Sequence, residues 1–193
     1  MVRTIGTGIL AVFALSASAS AQDAKETFRQ AFSGSCYFDD DSSYEEAFPA
    51  QQWTLTWQEE YSESPSTATL YQFFCFAGAY NVNFVYMIET EYDGLIPLGF
   101  AAPYYDVKYV NDAYDDAVED ITVRGFTTQL MLTNSRFDPD TETIENHAFW
   151  RGLGDASSSG RWVFDKGQFV LKTYDVDASY DEEINPVRVI EYQ

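Results

Sequence analysis

Trp53-Thr54-Leu55-Thr56-Trp57-Gln58, followed by Thr67-Ala68-Thr69-Leu70-Tyr71-Gln72-Phe73-Phe74-Cys75-Phe76, is the stretch that decides the fold. In the first run, apolar Trp53, Leu55 and Trp57 alternate with polar Thr54, Thr56 and Gln58, the period of a half-buried strand. The second run is apolar on both faces, as in a central strand covered above and below. Between them, Glu59 to Ser66 is polar and contains Pro65, a turn composition. Gly78-Ala79-Tyr80-Asn81 ends the second run. Val82, Phe84, Tyr86 and Ile88 then alternate with Asn83, Val85, Met87 and Glu89, a third strand.

Working outward, the same signals predict strands at 95–100, 104–110 and 119–124. The Asp- and Asn-rich stretch from Asn111 to Asp120 reads as a sub-domain boundary or linker. Asp138-Pro139-Asp140-Thr141 is a turn by its chemistry. Asp165-Lys166-Gly167 separates Trp162–Phe164 from Phe169–Val176 as a hairpin turn, with Gly available for positive φ. A last strand, 187–192, follows Pro186. The expected fold is mainly β: antiparallel sheets and hairpins, sandwich or barrel-like, with one short N-terminal helix. Asp23 is the expected cap of that helix, with Glu26 three residues on and Gly34 at its end. Phe28 and Phe32, four apart, share the face that docks on the body. Residues 39–48 read as loop.

Upstream of that helix stand Arg3, an uncharged apolar or small stretch from Ile5 to Leu15, and Ala19-Ser20-Ala21. A positive start, an apolar centre and a small-residue exit are the parts of a secretory signal, so residues 1–21 are expected to be removed. The apolar run is about half of the roughly 20 residues that a bilayer-spanning helix needs. No later segment is apolar enough to span. Residues 22–193 then form a single exported β-rich domain, periplasmic or secreted by a bacterium, long enough to bury a core of its own.

Charge narrows the partners. The chain has 31 acidic and 11 basic side chains. Losing Arg3 with the signal leaves a net charge of about −21 by simple counting. No Lys or Arg occurs between Arg29 and Lys108. Such a surface repels phosphates and anionic lipid, which argues against nucleic acid, and it suits solvation in salt or a basic envelope protein as partner. Cys36 and Cys75 are the two cysteines. In an oxidising compartment they are expected to pair, a link worth about 4 kcal/mol by loop entropy.

The usual catalytic constellations are thin. His147 is the only histidine, and no Gly-x-Ser-x-Gly elbow accompanies it. Zinc would lack His and thiolate ligands. Carboxylates are too numerous for any pair to stand out as the acid and base of a glycosidase. Asp175, Asp177, Ser179 and Asp181 alternate as in a calcium loop, but Tyr180 stands where the turn needs Gly and Pro186 where the bidentate Glu belongs. An irregular calcium site is the functional reading of those four, and a solvated acidic turn the bland one. No cofactor is implied. The Gly- and Ser-rich stretch from Arg151 to Arg161 is followed by a strand, whereas a phosphate cradle needs a helix. It reads as a tight connection in which Arg151, Asp155 and Arg161 can pair, bracketed by Trp150 and Trp162, which can pack beneath it; the functional alternative makes these five residues an interaction loop with Asp155 as an outward ligand contact. Asp155 is expected to accept hydrogen bonds from the loop or from one of the two arginines.

Leu132-Thr133-Asn134-Ser135-Arg136-Phe137-Asp138-Pro139-Asp140-Thr141-Glu142-Thr143-Ile144, Arg151-Gly152-Leu153-Gly154-Asp155 and Gly160-Arg161-Trp162-Val163-Phe164 resemble the C-terminal signature of the bacterial family called domain of unknown function 1176. Cys75-Phe76-Ala77-Gly78-Ala79-Tyr80-Asn81 resembles its central motif. The resemblance implies an exported bacterial protein and supplies no catalytic residues. Where the family reads Gly-Asp-Cys-Gly, this chain has Gly154-Asp155-Ala156-Ser157, so a second disulfide implied by the resemblance is missing. These readings favour a non-catalytic binding module over an enzyme. The alternative is a carboxylate-based hydrolase or a carbohydrate-binding protein that stacks sugars on exposed aromatics.

Overall fold

A computed structural model describes residues 14–38, 42–114 and 116–193. The helix α1 (Ala14–Ala31) and a short α2 (Ser42–Ala47) precede the strands β1 (Gln51–Trp57), β2 (Ser66–Ala77), β3 (Val82–Thr90) and β4 (Gly94–Pro97). Next come β5 (Phe100–Tyr109), β6 (Val118–Gln129), β7 (Leu132–Thr133) and β8 (Arg136–Asp138). The chain ends with β9 (Thr143–Phe149), β10 (Ser157–Asp165), β11 (Gln168–Asp177) and β12 (Val187–Glu191). The first sheet has the order β1-β2-β3-β4, with β7 also pairing with β3. The second is β12-β11-β10-β9-β8, and β5 and β6 form a separate hairpin. All the pairings are antiparallel, so the chain is mainly β as its alternation predicts.

The period of two decides which layer each side chain enters. Leu55, Leu70, Tyr86 and Ile88 project from the first sheet into a core shared with Ile144, Trp162, Leu171 and Val176 of the second sheet and Phe100 of the hairpin. Tyr71, Phe73, Cys75, Val85 and Met87 project from the opposite face of the first sheet and meet Ala24, Phe28, Phe32 and Cys36. Those last four recur every four residues: Ala24 and Phe28 share one face of α1, and Phe32 follows just past its end. The run Thr67 to Phe76 is apolar on both faces because it is the middle layer, with a helix on one side and a sheet on the other.

Four local expectations need correction. Asp23 does not cap the helix: α1 continues through it to Ala14, and the Asp23 carbonyl accepts a bond from the Thr27 hydroxyl at 3.0 Å. The residues just upstream are mostly Ala and Ser, and alanine propagates a helix best. Residues 1–13 of the predicted signal lie outside the described part. Residues 39–48 are not simply loop, since they contain α2. Tyr44 and Phe48, four apart, both stack on Phe74, with ring centroids 5.2 and 5.4 Å away. Tertiary packing of that kind stabilises a helix too short to form alone.

The expected strand at 95–100 is two strands. Pro97 closes β4, the Leu98 N–H donates to the Tyr86 carbonyl at 2.9 Å, and the chain leaves the first sheet for the hairpin. Finally, the Gly- and Ser-rich connection ends at Ala156, because Ser157 to Arg161 belong to β10 and pair on both sides. Gly160 is needed there by the core: a Cβ on it would lie 2.3 Å from the Trp162 ring. The Asn111–Asp120 stretch spans the tip of the β5–β6 hairpin and the first residues of β6. At the β10–β11 turn, Lys166 and Gly167 have φ of 48° and 88°, the paired positive values of a tight two-residue hairpin.

Candidate functional site

The first sheet is uneven at one end, and this creates a cavity. The last pair between β1 and β2 is Gln51 with Gln72, so β2 runs on from Phe73 to Ala77 without a β1 partner. Tyr37, Phe38, Tyr44 and Phe48, from the described parts of the chain between α1 and β1, lie there instead. Their placement is fixed at one point, where Cys36 and Cys75 form the expected disulfide and the Tyr37 N–H donates to the Cys75 carbonyl at 3.0 Å. Both cysteines are buried, and Met131 Sδ lies 3.4 Å from Cys75 Sγ. The register slips between Phe74 and Phe76, which makes Cys75 the extra residue of a bulge.

The cavity between these parts measures about 530 Å³. α1 contributes Lys25, Phe28 and Arg29, and the chain after the disulfide contributes Tyr37 and Phe38. Tyr44, Phe48, Pro49 and Ala50 come from α2 and its exit, and Phe73, Phe74 and Ala77 from β2. The aromatic walls support one another. Phe28 stacks on Phe73 at 4.6 Å and meets Phe38 edge-on at 5.3 Å. Volume, apolar lining and a few polar groups are the attributes of a small-molecule site. Among the described lining residues there is no carboxylate, histidine or thiol. Every lining residue lies after Ala21.

The sequence-predicted residues lie elsewhere. Asp155 is buried, 2% exposed, and both its oxygens are occupied. Arg151 holds it bidentately, with Nε at 2.7 Å from Oδ1 and Nη2 on Oδ2, and the Glu182 N–H donates to Oδ2 at 2.9 Å. The Arg151 guanidinium, then the Glu182 N–H, hold this carboxyl well below the usual range against the opposing effect of desolvation. Arg151 also lies 5.3 Å from the Tyr180 ring centre. Arg161 does not join them: it faces Glu145 at 3.8 Å on the outer face of the second sheet. Trp162 is fully buried and donates from Nε1 to the Ala101 carbonyl at 2.8 Å, while Trp150 is half-buried. Trp150 packs against the core cluster to which Trp162 belongs. Ala156, where the resemblance implies a cysteine, is buried.

The calcium reading fares no better in geometry. Asp175 pairs bidentately with Arg188, its neighbour across β11 and β12, at 2.8 and 3.0 Å. Asp177 accepts the Ser179 hydroxyl at 2.7 Å and the Asn185 N–H at 2.7 Å. Asp181 accepts the Glu183 N–H at 3.0 Å, which with smaller contacts lowers its pKa. Asp177 and Asp181 thus close the 177–185 loop, and Asp175 ties β11 to β12. Among the described residues, no group of three or more His, Cys, Asp or Glu is arranged to hold a metal ion.

His147, Ser159 and Asp175 do form one row across β9, β10 and β11. The row runs His–Ser–Asp, so the carboxylate lies beyond the serine and is already taken by Arg188. A triad needs the carboxylate to orient the histidine. The His147 ring packs edge-on against Phe149 at 4.6 Å, and desolvation lowers its pKa.

Sequence reasoning missed two features. One is the aromatic cavity, whose available signal was the density of aromatic residues from Phe28 to Phe48. The other joins the two sheets. The Asn81 amide donates to the Phe149 carbonyl at 2.8 Å, and its oxygen accepts from Asn134 Nδ2 at 2.9 Å. Asn134 also accepts from the Val82 N–H at 2.8 Å and donates to the His147 carbonyl at 2.9 Å. The Tyr80 hydroxyl reaches the Trp150 carbonyl at 3.2 Å. The stretches that carried the family resemblance, 75–81 and 132–144, thus meet in space through a clasp of amide side chains.

The architecture is that of a helix-backed double-sheet protein with a cavity at the helix–sheet seam. Among known families, the one described as protein of unknown function (DUF1176) matches residues 13–179, and the chain belongs to it. Comparison with curated proteins and with solved structures returned no match.

Proposed function

We propose that the protein is a non-catalytic binding module of the bacterial periplasm or the secreted compartment, and that it holds a small apolar ligand in the cavity between α1 and β2. The observation that carries this reading is the aromatic lining of that cavity without a described acid–base pair. The buried disulfide is compatible with an oxidising, exported compartment. No helix among the described residues is long and apolar enough to cross a membrane. The hydrolase reading needs two facing carboxylates in an aromatic-walled pocket, and the described walls offer none. Acidic side chains on the remaining surface keep the module soluble in salt.

The test is binding of the neutral fluorophore N-phenyl-1-naphthylamine to the oxidised chain beginning at Gln22. The expected result is saturable binding, weakened at least tenfold by Ala77→Trp, which places an indole in the cavity. Equal binding by parent and variant would remove the cavity from the function. Retention of a basic protein at moderate salt, unaffected by Ala77→Trp, would move the function to the acidic surface.

A further inference from the structure

β1 is a free edge of the first sheet: among the described residues, Gln51–Trp57 pair with β2 and with no other strand. A bare edge offers unpaired N–H and C=O groups to any strand that comes alongside, and natural sheets blunt it with short length, Pro or charge. The other edges here are blunted in those ways. β4 has four residues and ends in Pro97, and β8 has three and begins with Arg136. β12 follows Pro186 and carries Arg188 and Glu191. The hairpin carries Asp106 and Lys108 on β5 and Glu119, Asp120 and Arg124 on β6. β1 has seven residues with neither charge nor Pro. In a chain with 31 acidic side chains, the run from Ala47 to Gln58 is uncharged throughout.

The strand also reads the same in both directions: Gln52-Trp53-Thr54-Leu55-Thr56-Trp57-Gln58 is a palindrome about Leu55. We infer that β1 is a self-association edge, occupied by β1 of a second copy of this chain around a two-fold axis through Leu55. The pairing is antiparallel and isologous, and it joins the two first sheets into one. Each residue then faces its own kind: Trp53 opposite Trp57, Thr54 opposite Thr56, and Gln52 opposite Gln58. Aromatic pairs and Thr–Thr pairs are favourable cross-strand neighbours. Trp53 and Trp57 are half-buried in the single chain, so each has surface left to cover. Glu59 faces Gln51, so no carboxylate is set opposite another. A pairing centred on Thr54 would instead put Gln51 against Trp57 and Trp53 against Leu55. The two copies carry like net charge, which salt screens over about 8 Å at physiological strength, so salt favours the dimer. The inference is independent of the cavity.

Sedimentation equilibrium of the oxidised chain from Gln22 tests this, as parent, as Thr54→Lys/Thr56→Lys and as Thr54→Glu/Thr56→Glu. Thr54 and Thr56 are exposed, so these substitutions leave the core untouched. The expected result is a reversible dimer of the parent at micromolar concentration that tightens with added salt. Each double variant alone should dimerise at least tenfold more weakly, a loss of about 1.4 kcal/mol or more, because like charges then face each other. An equal mixture of the two variants should recover the dimer, since the lysines of one copy then face the glutamates of the other. A parent that stays monomeric at every concentration and salt overturns the inference, as does a dimer that both variants leave intact. A mixture that remains monomeric overturns the pairing of β1 with itself.

Discussion

Removing the disulfide gives the clearest quantitative test of how the helical layer is held. Cys36 and Cys75 are 39 residues apart in sequence. Closing a loop of that length lowers the entropy of the unfolded chain by an amount equivalent to about 4 kcal/mol at 25 °C. A Cys36→Ala/Cys75→Ala variant should lose about that much, with a melting temperature lower by about 8–16 °C for a domain of this size. The Cys36→Ser/Cys75→Ser variant should lose about 1–3 kcal/mol more. Cys75 is fully buried and Cys36 nearly so, and a hydroxyl placed there without a partner carries a desolvation cost. Urea unfolding followed by tryptophan fluorescence measures both, since Trp162 is fully buried in the native state. The slope against urea should steepen in each variant, because an unbridged unfolded chain exposes more surface. Retention of parental stability to within about 1 kcal/mol in the alanine variant would refute the loop-entropy argument. Equal stability of the serine and alanine variants would refute the burial argument.

Three further expectations follow from the site geometry. Asp155→Ala should melt earlier than Asp155→Asn, and both earlier than the parent, because Asn keeps an acceptor for Glu182 while Ala leaves Arg151 and the Glu182 N–H without one. The Asp155 carboxyl is more acidic folded than unfolded, so its contribution is present above its ordinary value of 3.8 and is lost as pH falls below that. The difference in urea midpoint between parent and Asp155→Asn should accordingly stay level from pH 8 to pH 5 and shrink in more acidic buffer. Gly160→Ala should destabilise by about 1–3 kcal/mol, the range for overpacking a core, since its Cβ meets the Trp162 ring; an unchanged denaturation midpoint would show that the ring can move aside. Asn134→Ala should be more damaging than Asn185→Ala in the same assay, because Asn134 bridges the two sheets and Asn185 only closes an exposed loop.

Much of the strand layout was legible because alternation of side-chain type marks a strand and sorts its two faces, as at Trp53-Thr54-Leu55 and Val82 to Glu89. It did not show that the second face of β3 is covered as well, where Val85 and Met87 are buried under the helix. Turn chemistry was equally readable at Asp138-Pro139-Asp140 and Lys166-Gly167, where local backbone geometry selects the residue. What failed to show was decided by partners distant in sequence. Gly160 reads as a loop glycine until Trp162 is seen packed against it. Tyr44 and Phe48 read as loop aromatics until Phe74 gives them a surface. The cavity is legible only once β2 is known to outrun β1, a matter of strand length that no single residue encodes. Ser157 to Arg161 had the composition of a flexible connection and became strand because ladders wait on both sides. For Asp155, acidity among glycines suggested a closed turn, but the contact with Glu182 comes from a loop 27 residues away.

The return of β7 to the first sheet has a consequence for how the chain matures. β1 to β4 can pair as soon as residue 97 is available, yet the Leu132–Thr133 segment takes its place beside β3 only after the whole β5–β6 hairpin has been made. The second sheet, which covers Leu55, Leu70, Tyr86 and Ile88, comes later still, and it is a simple meander whose successive strands are neighbours. A chain that appears from its amino end therefore passes through a stage in which half the sandwich is assembled and its oily inner side lies open. The carboxy-terminal meander, able to form from local pairings, arrives as a preformed lid. Until it docks and Asn81 meets Asn134, the early half is exposed to strand-by-strand association with other copies. A truncation ending near residue 130 should reproduce that hazard in isolation: a paired but uncovered sheet that clumps, rather than a smaller stable domain.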